Sequence, residues 1–208
     1  MAAPESYRTP SAHFQYEPDK IKGSRFIADV SPVQNAEEAE AFVRLIRDQY
    51  PDACHHCYAW RTGMQGEVHR SSDDGEPSGS AGRPIAAQLE GHELTQLVVV
   101  VTRYFGGTKL GVGGLMRAYG GAAGQALDRV EVTTKIITEP VRFAYPYDCS
   151  GPVEGILHSH ELTLENPEYG VEVSGGVQVP RNQVAEFKSE LVERTAGRLR
   201  FLEPEDDA

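Results

Sequence analysis

The sequence lacks the features that mark several classes of protein. Its three cysteines, Cys54, Cys57 and Cys149, are too few for a disulfide scaffold and indicate a reducing compartment. No apolar run approaches the roughly 20 residues that a membrane-spanning helix needs. The first residues contain no basic segment followed by an apolar one, so a secretory signal is not expected. We therefore predict a cytoplasmic protein with no membrane association.

Positive charge is also scarce, with 20 Lys and Arg against 31 Asp and Glu and a net charge of −11. This negative net charge argues against a protein that binds nucleic acid non-specifically, because most of the affinity in such binding comes from basic side chains that neutralise phosphates. The acidity is uneven: residues 1–130 carry 13 basic and 16 acidic side chains, whereas residues 131–208 carry 7 and 15. We therefore expect any anion-binding site in the N-terminal part.

The N-terminal part alternates between strand and helix patterns. Asn35 followed by Glu38 is a capping-box arrangement, and Pro51 ends the helix that it begins. The β-branched run 97–105 predicts a strand buried on both faces. Residues 1–12 are polar, contain two prolines and are expected to be loosely ordered. The other expected elements are strands over 24–33 and 53–63, a loop over 71–82 and a helix over 84–91 that begins with Pro84. A last helix follows Gly113, and its expected buried face carries Leu115, Met116, Tyr119, Ala122, Ala123, Ala126 and Leu127.

The C-terminal part begins near Glu131 and predicts the order strand, helix, strand, strand, helix, strand. This is the order of the ferredoxin-like split βαβ unit. The length of 208 residues fits two small domains. We therefore predict an α+β protein with an N-terminal domain over 1–130 and a C-terminal ferredoxin-like βαββαβ domain over 131–208.

The segment RYFGGTKLGVGGLMRAYGG (103–121) carries the strongest chemical signal. Glycines let a ligand approach main-chain N–H groups closely, and the start of the following helix offers free N–H groups and a positive dipole end. The alternative is that the glycines only permit tight turns and close helix–strand packing. Because Lys109 is followed by Leu110, this is not a Walker A loop, and we predict no cofactor. The predicted anion-binding residues are Arg103, Gly106, Gly107, Lys109, Gly111, Gly113, Gly114 and Arg117.

The segment SSDDGEPSGSAGRPI (71–85) has almost no apolar side chain and cannot build a core. We expect its carboxylates to tie it to nearby arginines, so that it braces the glycine-rich segment. A divalent-metal site, an acid–base pair and a recognition surface for a partner are the alternatives. The carboxylates are Asp73, Asp74 and Glu76, and the candidate arginines are Arg83, Arg103 and Arg117.

The segment CHHC (54–57) suggests zinc, but a structural zinc site needs a second pair of ligands at suitable spacing. The remaining histidines and Cys149 form no such pair, and alternation along a strand splits the four side chains between two faces. We predict no metal site. His55 and Cys57 share a face, so a Cys–His nucleophile remains an alternative to a buried thiol and a hydrogen-bonded histidine.

Four segments closely resemble the IMPACT/YigZ family: SRFIA (24–28), PDACHHCYAW (51–60), SDDGEPSGSAGRPI (72–85) and VVVTRYFGGTKLGVGGLMRAYG (99–120). The resemblance implies an N-terminal domain with the second-domain fold shared by a small-subunit ribosomal protein, RNase PH and elongation factor G. It implies a C-terminal domain similar to a late domain of elongation factor G. One departure is Ser80, where Thr is usual. Carried over by motif, the site adds Ser78, Gly79 and Tyr104 to the positions above and again includes His55 and Cys57.

The resemblance also implies a role in translation, since eukaryotic relatives regulate translation initiation during amino-acid starvation. We therefore expect a regulatory protein that binds RNA, the ribosome or a translation-related protein through its glycine- and arginine-bearing face. The alternative is an enzyme or small-molecule sensor that holds a phosphate- or carboxylate-bearing ligand at the same loop. A protein-interaction module without a small ligand is a third possibility.

Overall fold

The structure is a computed structural model, and it describes residues 4–203. The chain divides into two compact units. One is Ser6–Lys135, and the other comprises residues 136–203 together with Pro4 and Glu5. Both units contain helices and strands, so the predicted α+β class is confirmed.

The first unit is built on a five-stranded antiparallel sheet with the strand order β2-β3-β6-β4-β5. β1 lies outside this sheet and pairs with β7. The strands are β1 (Ser6–Pro10), β2 (Phe14–Tyr16), β3 (Arg25–Pro32), β4 (His55–Thr62), β5 (Val68–Ser72), β6 (Leu97–Tyr104) and β7 (Val132–Ile136), and the helices are α1 (Ala36–Gln49), α2 (Gly82–Gly91) and α3 (Val112–Leu127).

The central strand β6 organises the core because its alternate side chains enter two separate layers. Leu97, Val99 and Val101 pack with residues of α2 and α3 on one face of the sheet. Val98 and Val100 pack with α1 on the other face. The predicted strand buried on both faces is therefore present, and it carries the glycine-rich segment at its C-terminal end.

The start of α1 follows from its capping residues. The Asn35 side chain accepts a hydrogen bond from the Glu38 N–H at 2.9 Å, as predicted. The Glu38 carboxylate accepts from the N–H of Gln34 at 2.8 Å, one residue earlier than a capping box requires. The helix ends before Pro51, where the Tyr50 N–H still donates to the Ile46 carbonyl.

Four sequence-based expectations for this unit are wrong. Residues 6–10 of the segment expected to be loosely ordered form β1, while residues 1–3 lie outside the described part. Met116 lies on the exposed side of α3, because only its neighbours at helical spacing face the core. Helix α2 begins at Gly82 rather than Pro84, and β5 occupies the first two residues of the expected loop.

The second unit connects its elements as strand, helix, strand, strand, helix, strand, which is the predicted ferredoxin-like order. Its four-stranded antiparallel sheet has the order β11-β8-β10-β9. Phe143, Val153 and Phe187 lie in its core. The elements are β8 (Thr138–Tyr145), α4 (Ser150–Ser159), β9 (Glu165–Tyr169), β10 (Val173–Pro180), α5 (Val184–Arg194) and β11 (Arg200–Leu202).

Across residues 4–203, none of the helices combines the length and the apolar character that crossing a membrane requires.

Candidate anion-binding site

The glycine loop, which we define as residues 105–114, joins the end of β6 to the first turn of α3. Its entry lies directly against the turn before β3: a Cβ added to Gly106 would stand 1.9 Å from the carbonyl carbon of Gly23. Its exit is Gly111, whose φ of +71° favours glycine. Glycine is therefore required at both ends of the loop by packing and backbone conformation.

Most N–H groups of the glycine loop have no acceptor. The Gly106 N–H donates to the Ser24 hydroxyl at 3.2 Å. The first bond of helix α3 runs from the Leu115 N–H to the Gly111 carbonyl at 2.9 Å. Between these two, within residues 4–203, the N–H groups of residues 107–114 donate to no protein acceptor. The loop is mostly exposed, so these donors are open to a bound anion.

Three basic side chains, one in the loop, one in α3 and one at the start of α2, are exposed and make no ion pair with another described residue: Lys109, Arg117 and Arg83. The Arg117 guanidinium comes within 3.6 Å of the position that a Cβ on Gly113 would take. Arg83 lies at the start of α2, which runs beside α3 in the same direction, with Pro84 against Gly120 and Gln88 against Gly124. On this register Arg83 stands level with residue 119 of α3, about two turns beyond the glycine loop, whereas Lys109 lies in the loop and Arg117 in the second turn of α3.

Arg103 differs from these exposed cations because it is buried. Its side chain is only 6% exposed, and its Nη1 donates to the Glu76 carboxylate at 2.5 Å. The Tyr119 hydroxyl donates to the same oxygen at 2.7 Å. The guanidinium also lies 5.6 Å from the ring centre of Phe105. Arg103 therefore supports the loop from its buried side, and it connects residues 71–85, which we call the acidic segment, to β6.

Asp73 holds the acidic segment on the start of α2. Its carboxylate accepts hydrogen bonds from the N–H groups of Gly79 at 2.7 Å, Ala81 at 2.9 Å and Gly82 at 2.8 Å. Burial opposes ionisation, but these three backbone donors outweigh it and lower the pKa of Asp73. The charge also lies favourably at a helix N-terminus. Asp73 is thus a structural cap, and it contacts none of the candidate arginines.

Asp74 also has partners other than those candidate arginines. Its carboxylate accepts from Arg47 of α1 at 2.6 Å and from the His56 N–H at 2.7 Å. Ser78 is exposed and makes no side-chain hydrogen bond within the described residues. Of the three carboxylates, Glu76 makes the predicted type of contact, through Arg103.

His55 and Cys57 point toward the acidic segment from neighbouring positions of β4. The His55 Nδ1 lies 2.8 Å from the Asp74 carbonyl oxygen, and its Nε2 lies 3.9 Å from the Glu76 carboxylate. The buried Cys57 thiol donates to the Asp73 carbonyl at 3.0 Å. Burial raises the pKa of Cys57 to about 12, so the thiol is neutral and a poor nucleophile. The geometry favours a structural role for this pair.

Sequence reasoning missed three partners that complete this arrangement: Ser24, Arg47 and Tyr119. Each lies at least 27 residues away along the chain from the group that it bonds, so no local spacing could reveal it. Among the described residues, no three His, Cys, Asp or Glu side chains are grouped so as to hold a metal ion.

Comparisons with known proteins agree with this architecture. Residues 22–127 match the Impact N-terminal domain, and residues 143–198 match a domain of unknown function, DUF1949. The chain is similar to IMPACT family member YigZ of Escherichia coli, with 37% identity over 97% of this chain and 100% of the relative. It is similar to IMPACT family member YvyE of Bacillus subtilis, with 34% identity over 89% of this chain and 85% of the relative.

A crystal structure described as that of a hypothetical protein resembles the chain with a TM-score of 0.75 and 36% identity. The similarity covers 99% of this chain and 100% of that one. The matched Impact N-terminal domain contains the glycine loop, its three exposed cations and the acidic segment. From the family match and the relatives together, we conclude that this chain belongs to the IMPACT family.

Proposed function

We propose that this protein is a translation-associated regulator that binds RNA through its glycine–arginine face, defined as the glycine loop together with Arg83 and Arg117. One observation carries the proposal: within residues 4–203, the N–H groups of residues 107–114 have no acceptor, and the exposed cations Lys109 and Arg117 have no acidic partner. Phosphate is the anion that such donors bind most readily. The family's link to translation makes RNA the polyanion that we favour.

Apolar side chains on the same loop and helix support RNA over a simple phosphate ion. Phe105, Val112 and Met116 are 49%, 52% and 44% exposed. Val112 and Met116 are four residues apart on α3 and so are neighbours on its surface. Exposed aromatic and apolar surface beside cations is what unstacked bases contact in proteins that bind single strands. The proposed ligand is therefore single-stranded RNA or a single-stranded loop of a larger RNA.

The direct test is fluorescence anisotropy with a short labelled single-stranded RNA at low salt. We expect Lys109→Ala and Arg117→Ala each to weaken binding by about threefold to tenfold, because each removes one phosphate-neutralising charge. If three cations neutralise phosphates, log K should fall with log salt with a slope of about −2. The matched control is Arg44→Ala, which removes the same charge from an exposed position on α1, on the opposite face of the sheet.

Equal affinity of the wild type, both loop variants and the control would contradict the proposal. Cosedimentation with ribosomes provides the link to translation. We expect the wild type to cosediment at low salt and the Lys109→Ala, Arg117→Ala double variant to remain in the supernatant.

A second candidate function is a sensor for a small phosphate- or carboxylate-bearing molecule at the same loop. The buried Glu76–Arg103–Tyr119 cluster favours it, because such a cluster holds one side of the loop in place, as a small-molecule site requires. A thermal-shift panel of nucleotides and phosphate esters separates the two functions. A specific shift in the wild type that disappears in Lys109→Ala would favour the sensor, whereas RNA binding without any such shift would favour the regulator.

A further inference from the structure

A groove of about 430 Å³ lies on the C-terminal unit, where the end of β8, helix α4 and strand β9 meet. Its volume is in the range of pockets that bind small groups. Tyr145, Tyr147 and Tyr169 contribute to its wall together with Glu154 and His158. The proposed RNA-binding face does not use these side chains.

The tyrosines are held in different ways. Tyr145 is 3% exposed and lies within the core of its unit. Burial raises the pKa of Tyr145, and Glu154 and Tyr169 add to this effect. Tyr147 donates from its hydroxyl to the Gly170 carbonyl at 3.1 Å, so its ring is tied to the tip of the β9–β10 hairpin. The groove therefore has a buried floor and an anchored side.

The charge of the groove is negative. Glu154 is exposed and pairs with no cation among residues 4–203. On the other side of Tyr169, the Arg200 guanidinium is already bound by Glu172 at 2.8 Å. Residues 131–208 carry 15 acidic against 7 basic side chains, so their surroundings add to the negative potential. An anionic ligand is disfavoured here, and a cation is favoured.

We infer that this groove binds a lysine or arginine side chain from a basic segment of a partner protein. Aromatic faces attract ammonium and guanidinium groups, and the unpaired carboxylate of Glu154 completes a site for one positive charge. The rim fits a polypeptide rather than a free amine. Tyr169, which lines the groove, is 72% exposed, so its ring offers apolar surface to the residues that flank the bound side chain.

The test uses the full chain and a fluorescent hexalysine peptide at low salt. We expect Glu154→Gln to weaken binding of the peptide at least fivefold, and Tyr169→Ala to weaken it about threefold through loss of one aromatic face. The matched control is Glu193→Gln. It removes the same charge from an exposed position on α5 that does not line the groove, and we expect its affinity to stay within twofold of wild type.

Each other outcome overturns the inference. Equal weakening by Glu154→Gln and Glu193→Gln would mean attraction by net charge alone, and unchanged affinity in Tyr169→Ala would remove the aromatic contribution. Failure of the wild type to bind hexalysine would also reject it. Thermal melts of the three variants verify that each is folded. The inference concerns a different surface from the RNA-binding proposal, so either can fail without the other.

Discussion

Asp73→Asn tests whether the acidic segment braces the site or performs chemistry. The carboxylate of Asp73 accepts three backbone hydrogen bonds, two of them from Ala81 and Gly82 at the start of α2. Asparagine retains one acceptor oxygen, but its amide group presents N–H toward a backbone donor. The substitution therefore removes at least one charge-assisted bond and leaves a donor facing a donor.

The expected cost follows from the energetics of such bonds. A hydrogen bond to a charged group contributes about 1.5–3 kcal/mol, so we expect the free energy of unfolding to fall by about 2 kcal/mol at pH 7. The pKa of Asp73 in the folded protein is lowered from 3.8. Its stabilisation is therefore present above the unfolded-state pKa and is lost as pH falls through the folded-state pKa. The difference between variant and wild type should shrink below about pH 4.

Tryptophan fluorescence gives a clean assay, because the sequence contains one tryptophan, Trp60, which is buried in β4 of the N-terminal unit. Urea unfolding followed by this signal reports on that unit alone. Asp52→Asn is the matched control, since it removes the same charge from an exposed position. A loss below about 0.5 kcal/mol, which is the usual range for a surface substitution, would refute the bracing role. So would an equal loss at pH 3 and pH 7.

Three further predictions concern the same unit. Gly111→Ala should cost about 1–2 kcal/mol in the same urea assay, because alanine is strained at positive φ; no loss would show that the loop does not need this conformation. Glu76→Gln should cost about 3–5 kcal/mol, because it leaves the buried Arg103 guanidinium unpaired; a loss under about 1 kcal/mol would mean that the pair is effectively solvated. A thiol-reactive dye should label exposed Cys54 in the native protein and buried Cys57 only after unfolding, and rapid native labelling of Cys57 would contradict its burial and raised pKa.

The sequence predicted those parts of the fold that depend on local patterns. The capping pair at Asn35 and the β-branched run of β6 both lie where expected, because capping and alternation act within a few residues. β1 was missed because its residues are polar and include Pro10, and its pairing with β7 joins segments more than 100 residues apart. Local composition holds no signal for such a pairing.

The candidate site, like the fold, could be predicted from the sequence only where local patterns determine it. The basic residues and glycines of the loop were identifiable by type, but the sequence could not separate surface cations from a buried one. Arg103 is the last inward position of a strand that is buried on both faces, and its partner Glu76 comes from a loop 27 residues away. Asp74 likewise pairs with Arg47, which helix α1 brings in from the other side of the sheet. These pairings follow from tertiary packing.

The central claim is that main-chain N–H groups of the glycine loop hold RNA phosphates. Its most direct test is the change in amide NMR shifts when single-stranded RNA is titrated into the labelled protein. The account predicts the largest shifts at Gly107, Gly111 and Gly113, and their loss in the Lys109→Ala, Arg117→Ala double variant. Shifts confined to residues outside 105–117, or none at all while RNA binds, would contradict it.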